Sequence, residues 1–233
     1  MKSTSIVVCA YRDWAKNICK HIYANYTWSD EPHEDRFIVN SIVENHKNIG
    51  DRIRLSKPDL VFFLGWSWII PDDIINDYRC ICLHPSPLPK YRGGSPIQHQ
   101  MINGEKTSKV SMFLMDEGLD TGPIIWQSKN FSLDGDLSEI LTSITNAGKD
   151  GVDFIINQYQ KSKSLITFTQ DHSKATSYKR RKPEQSEIEI EDFTKFTAKE
   201  LVRKIKSLQS PYPNAYIKCK NGTILYITNA STK

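Results

Sequence analysis

Residues 59–65 read Asp-Leu-Val-Phe-Phe-Leu-Gly, a run of large apolar side chains that ends at a glycine. A strand covered by helices on both faces of a sheet is apolar throughout, whereas a half-exposed strand alternates apolar and polar residues. The run therefore predicts a central strand of a mostly parallel sheet. Ile6 to Ala10, a β-branched run near the start of the chain, predicts a second buried strand.

Strands and helices alternate on both sides of this central strand. Helical patterns are predicted at 13–24, 71–77, 95–102 and 137–159, and strands at 37–39, 79–83, 109–115 and 124–128. Residues 30–36 are predicted to be a loop, 45–57 have too little periodicity for an assignment, and the last helix is expected to be interrupted near Gly148 and Gly151. The alternation predicts an α/β domain over residues 1–165.

The composition changes after residue 165. Residues 166–196 are mostly polar and highly charged, which predicts a connector without regular structure. Residues 197–233 predict a small C-terminal appendage that consists of an amphipathic helix at 197–208 and a β-hairpin. The hairpin is expected to have a two-residue turn at Asn221-Gly222.

Composition and charge exclude several classes of protein. Hydrophobic residues make up 39% of the 233 and charged residues 25%, which is typical of a globular chain and excludes a disordered one. A net charge of +4 suits a phosphate-bearing ligand and is too small to argue for nucleic acid. The longest apolar stretch, 60–70, is too short to cross a bilayer, and the first apolar run is too short for a signal peptide. We therefore expect a cytoplasmic protein with reduced cysteines, no membrane partner and no metal.

One dense segment carries most of the candidate chemistry. It runs from Leu83 to Ile97 and reads LHPSPLPKYRGGSPI, in which prolines and paired glycines define a stiff loop at the end of a predicted strand. Open α/β sheets bind ligands at such strand ends. His84, Arg92 and the backbone amides of Gly93 and Gly94 are predicted to cradle an anionic ligand. The alternative is that His84 is a structural residue that closes the loop.

Asp120 lies on a second, glycine-broken loop that follows another predicted strand. A carboxylate beside an imidazole orients the ring and stabilises its charged form, so Asp120 is predicted to meet His84 in space. The alternative is a merely solvated acidic loop. The loop lacks the ligand count of an EF-hand.

Together, HPSPLPKYRGGSPI and the later Asp120-Thr121-Gly122 resemble the family of formyltransferases that use 10-formyltetrahydrofolate. Its members act on glycinamide ribonucleotide, methionyl-tRNA or nucleotide-linked amino sugars. The resemblance implies a Rossmann-like fold and a catalytic Asn-x-His with a later Asp. His84 and Asp120 match the family's His and Asp, whereas Cys82 stands at the position of the Asn.

The resemblance also implies a folate pocket formed by two segments. Their residues are Trp66, Ser67, Trp68, Ile69 and Ile70 after the central strand, and Met115, Asp116, Glu117 and Gly118 before the catalytic Asp. Apolar and aromatic walls suit a flat pterin ring. The alternative for the two tryptophans is ordinary packing or a dimer surface.

The C-terminal part of the chain favours one branch of the family. It is similar to the sugar-nucleotide formyltransferases and lacks the larger basic domain of the transfer-RNA enzyme, and Tyr11 to Trp14 replace the phosphate loop of the purine enzyme. The predicted acceptor-binding residues are Ser86, Tyr91, Arg92, Gly93, Gly94, Arg180, Arg181 and Tyr216. Arg180, Arg181 and Lys182 are expected to meet a pyrophosphate, and Tyr216 to stack on a base. The alternative for these cations is a solvated basic linker.

The resemblance predicts a homodimeric formyltransferase that acts on a dTDP-linked 4-amino-4,6-dideoxyhexose, with the glucose configuration preferred, for surface polysaccharide (O-antigen) synthesis. Methionyl-tRNA formylation and folate binding without turnover remain alternatives. Cys82 is either a nucleophile that forms a formyl thioester or a tolerated replacement for Asn. The second is favoured, because direct attack by the amine needs no covalent intermediate.

Overall fold

The computed structural model describes residues 4–26, 37–43 (backbone alone) and 47–232, so the predicted loop at 30–36 lies outside it. The strands are β1 (Thr4–Ala10), β2 (Phe37–Val43), β3 (Leu60–Leu64), β4 (Cys80–His84), β5 (Arg92–Gly93), β6 (Thr107–Ser108), β7 (Ser111–Leu114), β8 (Ile124–Gln127), β9 (Phe131–Ser132), β10 (Ser177–Tyr178), β11 (Ala215–Lys218) and β12 (Ile224–Ile227). The helices are α1 (Asp13–Tyr26), α2 (Ile49–Ser56), α3 (Asp72–Asp77), α4 (Pro96–Ile102), α5 (Leu137–Ser162), α6 (Asp192–Lys195) and α7 (Ala198–Ser207). Short 3₁₀ helices cover His172–Lys174 and Pro183–Ser186.

A six-stranded sheet with the order β2-β1-β3-β4-β7-β8 forms the centre of the fold. The pairs β1–β2, β1–β3 and β3–β4 are parallel, whereas β4–β7 and β7–β8 are antiparallel. The predicted central strand, β3, lies between β1 and β4. The mostly parallel α/β sheet expected from the sequence is therefore confirmed.

Each face of the sheet is covered by its own hydrophobic core. Leu60, Phe62 and Leu64 of β3 pack toward α1 and α5, and Val61 and Phe63 pack toward α2 and α3. All five side chains are fully buried. This double burial explains why the strand has no polar position, and it confirms helices on both faces.

Helix α5 is continuous, so the predicted interruption near its two glycines is wrong. A Cβ atom on Gly148 would lie 2.4 Å from Ile18 Cδ1, and one on Gly151 would lie 2.5 Å from Met112 Sδ. The glycines allow the helix to approach α1 and the sheet closely. Tertiary packing here outweighs their low helix propensity.

Helix α2 falls in the segment that the sequence left unassigned. Its inward face consists of Ile49, Gly50 and Ile53, and a face of only three small or medium residues gives little periodicity. The helix ends at Lys57, whose backbone is left-handed and whose N–H donates to the Ile53 carbonyl.

The connector predicted at 166–196 contains regular structure, so that prediction is wrong in part. Its residues 172–182, called the strap from here on, cross the loop that follows β4. Strand β10 pairs in parallel with β5, so that Ser177 faces Arg92 and Tyr178 faces Gly93. A Cβ atom on Gly94 would lie 2.4 Å from the Cα of Arg180, so the paired glycines make room for the strap.

The C-terminal helix and hairpin are confirmed. Helix α7 starts with a capping box in which Thr197 and Glu200 bond each other's backbone N–H groups. The predicted two-residue turn is wrong, because the Cys219 N–H donates to the Thr223 carbonyl and leaves a three-residue loop at 220–222. Among the described residues, no helix has the length and apolarity needed to cross a membrane.

Candidate active site

A cleft of about 930 Å³ lies at the carboxyl ends of β3 and β4. Ligand sites of open α/β sheets are found at this edge, and pockets for drug-sized ligands measure roughly 300 to 1,000 Å³. The cleft is at the upper end of that range. It therefore has room for more than one small ligand.

His84 is the last residue of β4, and both of its ring nitrogens face protein groups. Nε2 lies 2.7 Å from the Tyr91 carbonyl oxygen, which can only accept a hydrogen bond, so Nε2 carries a proton. Nδ1 lies 3.5 Å from Oδ2 of Asp120. The structure thus brings together the predicted His and Asp, both of which line the cleft.

Asp120 is held by its backbone as well as by its carboxylate. Its φ of 54° is left-handed, a conformation that non-glycine residues seldom adopt outside turns and functional sites. Oδ2 accepts from the Gly93 N–H at 2.7 Å, and the Asp120 carbonyl accepts from Gln170 Nε2 at 3.0 Å. Arg92 donates to the oxygen of the same Gln170 at 2.6 Å. This network leaves the carboxylate one position beside the imidazole.

Cys82 lines the cleft and carries a neutral thiol. Burial raises the pKa of Cys82 well above its ordinary value, and the nearby Asp120 carboxylate and Cys80 raise it further. Its thiol contacts only the neighbouring Leu83 carbonyl, at 3.7 Å. A nucleophilic thiol needs the opposite environment, with a nearby cation that lowers its pKa.

The nine residues predicted to bind folate all line the cleft. Trp66 and Trp68 meet edge to face with 4.9 Å between ring centroids, and Tyr11 lies 4.5 Å from Trp68. Trp66 also packs on Phe63, so part of its surface serves the core. Ser67 Oγ and the Tyr11 hydroxyl are 2.5 Å apart, which fixes the loop after β3.

The predicted acceptor residues divide into two groups. Gly93, Gly94, Arg180 and Arg181 line the cleft, whereas Ser86, Tyr91, Arg92 and Tyr216 lie outside its wall. Three of the latter stabilise loops instead: Ser86 Oγ donates to the Lys90 carbonyl, the Tyr91 hydroxyl donates to Glu105, and Arg92 bonds Gln170. The Tyr216 hydroxyl faces Glu187 at 3.4 Å.

The predicted amide cradle is wrong, because both amides already have partners inside the protein. The Gly93 N–H donates to Asp120 Oδ2, and the Gly94 N–H donates to the Tyr178 carbonyl at 2.9 Å. The glycines therefore hold the strap and the catalytic carboxylate rather than a ligand.

A group of cations lies at one end of the cleft. Arg12, Arg180 and Lys182, called the cation end from here on, line it without a carboxylate partner among the described residues. The guanidinium carbon of Arg12 is 4.8 Å from the Tyr11 ring centroid and 5.4 Å from that of Tyr212. Burial lowers the pKa of the neighbouring Arg181, which donates to the Gln185 carbonyl.

Sequence reasoning did not assign Arg12, Tyr212 or Gln98 to the site, although all three line the cleft. Arg12 follows β1 directly, at the strand end where a ligand residue is expected. That position was the available signal. Tyr212 and Gln98 come from distant parts of the chain, and no local pattern marks them.

Comparison with known proteins gives a consistent family. A family model described as formyl transferase matches residues 7–150. A methionyl-tRNA formyltransferase of Wolbachia sp. subsp. Drosophila simulans is 30% identical over 177 residues, which cover 75% of this chain and 55% of the relative. The chain thus spans about half the length of the curated relatives it matches.

Two solved structures have the same fold over nearly their whole length. The methionyl-tRNA formyltransferase from Clostridium thermocellum superposes with a TM-score of 0.77 at 28% identity, covering 96% of this chain and 97% of the other. A 4-N formyltransferase from Francisella tularensis superposes with a TM-score of 0.75 at 17% identity, covering 99% and 98%.

Proposed function

The chain belongs to the formyl transferase family, and from that premise we propose that it transfers the formyl group of 10-formyltetrahydrofolate to the primary amine of a dTDP-linked amino sugar. The observation that carries the choice of acceptor is the cation end, in which Arg12, Arg180 and Lys182 face the cleft without carboxylate partners among the described residues. Cations that a protein leaves unpaired in a cleft suit an anionic ligand such as a pyrophosphate.

The reaction is a direct acyl transfer. The amine nitrogen attacks the formyl carbon, and the carbonyl electron pair moves to oxygen. When that pair returns, the bond between the carbon and N10 of the folate breaks, and one proton passes from the amine to the released nitrogen. Because His84 Nε2 is committed to the Tyr91 carbonyl, Nδ1 beside Asp120 is the ring atom left to exchange that proton.

The wall of Trp66, Trp68 and Met115 fits the folate. Its aromatic faces and apolar side chains suit a flat pterin ring, and the exposed Ile69 and Leu119 extend the apolar surface to the mouth of the cleft. The cation end lies beyond this wall. Donor and acceptor would therefore approach His84 from two sides.

Tyr212 is a better candidate than Tyr216 for stacking on the nucleotide base. It lines the cleft beside Arg12, whereas Tyr216 lies outside the wall. The proposed substrate is dTDP-4-amino-4,6-dideoxyglucose, used for O-antigen synthesis. A cytoplasmic location, a homodimer and the division of the chain at residues 165 and 196 stay predictions.

Methionyl-tRNA formylation is the second candidate, since relatives carry that name. The same cation end would meet the acceptor stem of a tRNA. Folate binding without turnover is the third, because Cys82 replaces the family's Asn.

A mass-spectrometric screen separates the three candidates. Purified protein and 10-formyltetrahydrofolate are incubated with a panel of dTDP- and UDP-amino sugars and, separately, with charged initiator tRNA. We expect one dTDP-amino sugar to gain the mass of a formyl group and tetrahydrofolate to appear with it. More efficient formylation of the tRNA would overturn the proposed acceptor, and folate binding without any product would overturn the enzymatic role.

A further inference from the structure

Two glutamines on α4 are treated by the fold in opposite ways. The Gln100 amide donates to the Pro85 and Pro96 carbonyls at 3.0 and 3.1 Å, and its oxygen accepts from Ser108 at 2.7 Å. Gln98 is 4% exposed and lines the cleft, yet its side chain makes no hydrogen bond within the described part of the chain. Buried amide groups are nearly always paired, so an unpaired one on the wall of an active site indicates a partner that arrives with the ligand.

The position of Gln98 indicates which ligand supplies that partner. Its neighbour Ile97 packs into the core beneath α1 and α5, as do the cleft residues Trp14, Leu83 and Tyr212. Trp66 and Met115 on the proposed folate wall pack against the core on the opposite face. Gln98 therefore belongs to the acceptor side of the cleft.

We propose that Gln98 binds the attacking amine, with its carboxamide oxygen accepting one amine N–H. A primary amine has two N–H bonds and a lone pair. Holding one N–H aims the lone pair, and a neutral amide oxygen does so without favouring the unreactive ammonium form that a carboxylate would stabilise. This inference rests on the proposed transfer of a formyl group to a primary amine, and it holds for an amino sugar and for methionyl-tRNA alike.

The first test compares Gln98→Ala with Gln100→Ala. We expect Gln98→Ala to lower kcat/KM for the amine about tenfold, the loss of one hydrogen bond to substrate, while the melting temperature and the tetrahydrofolate affinity stay at wild-type values. Gln100→Ala is expected to lower the melting temperature, because it leaves buried carbonyls unpaired. Gln160→Ala, which removes the same group from α5 outside the cleft, serves as the unchanged control.

The second test uses the pH profile of Gln98→Glu. A carboxylate at this position stabilises the ammonium form of the bound amine, so the acidic limb of the kcat profile is expected to move to higher pH by about one unit. A residue that only supports the fold would lower kcat without moving the limb. An unmoved limb would therefore contradict amine binding.

Failure of this inference is separable from failure of the proposed acceptor. If only methionyl-tRNA is formylated, the sugar proposal falls and the same Gln98 variants are measured on the tRNA. If neither acceptor is formylated, the side-chain amide signals of ¹⁵N-labelled Gln98, assigned by their loss in Gln98→Ala, are followed on adding a dTDP-amino sugar or dTDP alone. A shift with the amine alone supports the proposal. Equal responses to both ligands, no response, or unchanged kinetics in Gln98→Ala overturn it.

Discussion

The His84–Asp120 pair and the cation end lie in one cleft and are built in opposite ways. His84 Nε2 and Asp120 Oδ2 each bond a backbone group, at 2.7 Å in both cases, and neither side chain is more than slightly exposed. Arg12 and Arg180 face the cleft with no carboxylate among the described residues to neutralise them. The difference indicates that the pair is organised before ligands bind, whereas the cation end is completed by the charge of its ligand.

The largest expected effect comes from the pair. Asp120→Asn should cut kcat on the order of a hundredfold or more, because the amide keeps the volume and loses the charge that supports the imidazole. The fold should survive, since Asn tolerates the left-handed backbone at this position and still offers an oxygen to the Gly93 N–H. Steady-state kinetics with a thermal melt checks both statements. Near-normal turnover would mean that the pairing has no catalytic role.

The strap joins the two regions, and Gly94→Ala tests that link. The new Cβ atom would meet the Arg180 backbone at 2.4 to 2.5 Å, so the strap must move and the free energy of unfolding should fall by about 1 to 3 kcal/mol. Urea unfolding measures the change. Gly50→Ala on α2, whose Cβ would meet only the end of the Arg54 side chain at 3.0 Å, is the matched control. Equal stability of the two variants would show that the strap is not held at this crossing.

The cation end should affect binding rather than chemistry. Arg12→Ala and Arg180→Ala are each expected to raise KM for the dTDP-amino sugar about tenfold at low salt with kcat little changed, since a charge-assisted hydrogen bond contributes about 1.5 kcal/mol or more. The exposed Lys129→Ala is the charge-matched control. If kcat fell and KM stayed constant, the cations would belong to the catalytic machinery, and the contrast between the two regions would disappear.

The smallest effect is expected at Cys82. Cys82→Asn should be as active as the wild type or faster, and Cys82→Ala should keep measurable turnover, because the raised pKa of this thiol leaves it protonated near neutral pH. Iodoacetamide mapping by mass spectrometry should label the exposed Cys219 well before Cys82. A trapped formyl thioester, together with two inactive variants, would establish the nucleophilic alternative.

The sequence predicted the parts of the molecule that local pattern determines. The run of residues 60–64 located the central strand, and the loop motif located His84 and Asp120, because burial on two faces and a stiff loop each leave a trace in neighbouring residues. The pairing of Ser177 with Arg92, by contrast, depends on a chain segment that returns from far away. The role of Gly94 follows from that return.

The acceptor side was predicted least well for the same reason. Tyr212 and Gln98 are carried to the cleft by the packing of the C-terminal segment and of α4, and neither is marked by its own neighbours. Tyr216 was chosen because aromatic residues stack on bases, a property that says nothing about position. The pair thus belongs to a contiguous motif, and the acceptor site belongs to tertiary structure.

The central claim is that one cleft holds a preorganised catalytic pair and a separate site for an anionic amine acceptor. The most direct measurement is a competition in one tube, in which the protein receives limiting 10-formyltetrahydrofolate, dTDP-4-amino-4,6-dideoxyglucose and charged initiator tRNA, and both products are weighed by mass spectrometry. The account predicts that the sugar takes most of the formyl group and that Arg12→Ala lowers the sugar's share. Predominant formylation of the tRNA, or a sugar share that Arg12→Ala leaves unchanged, would contradict it.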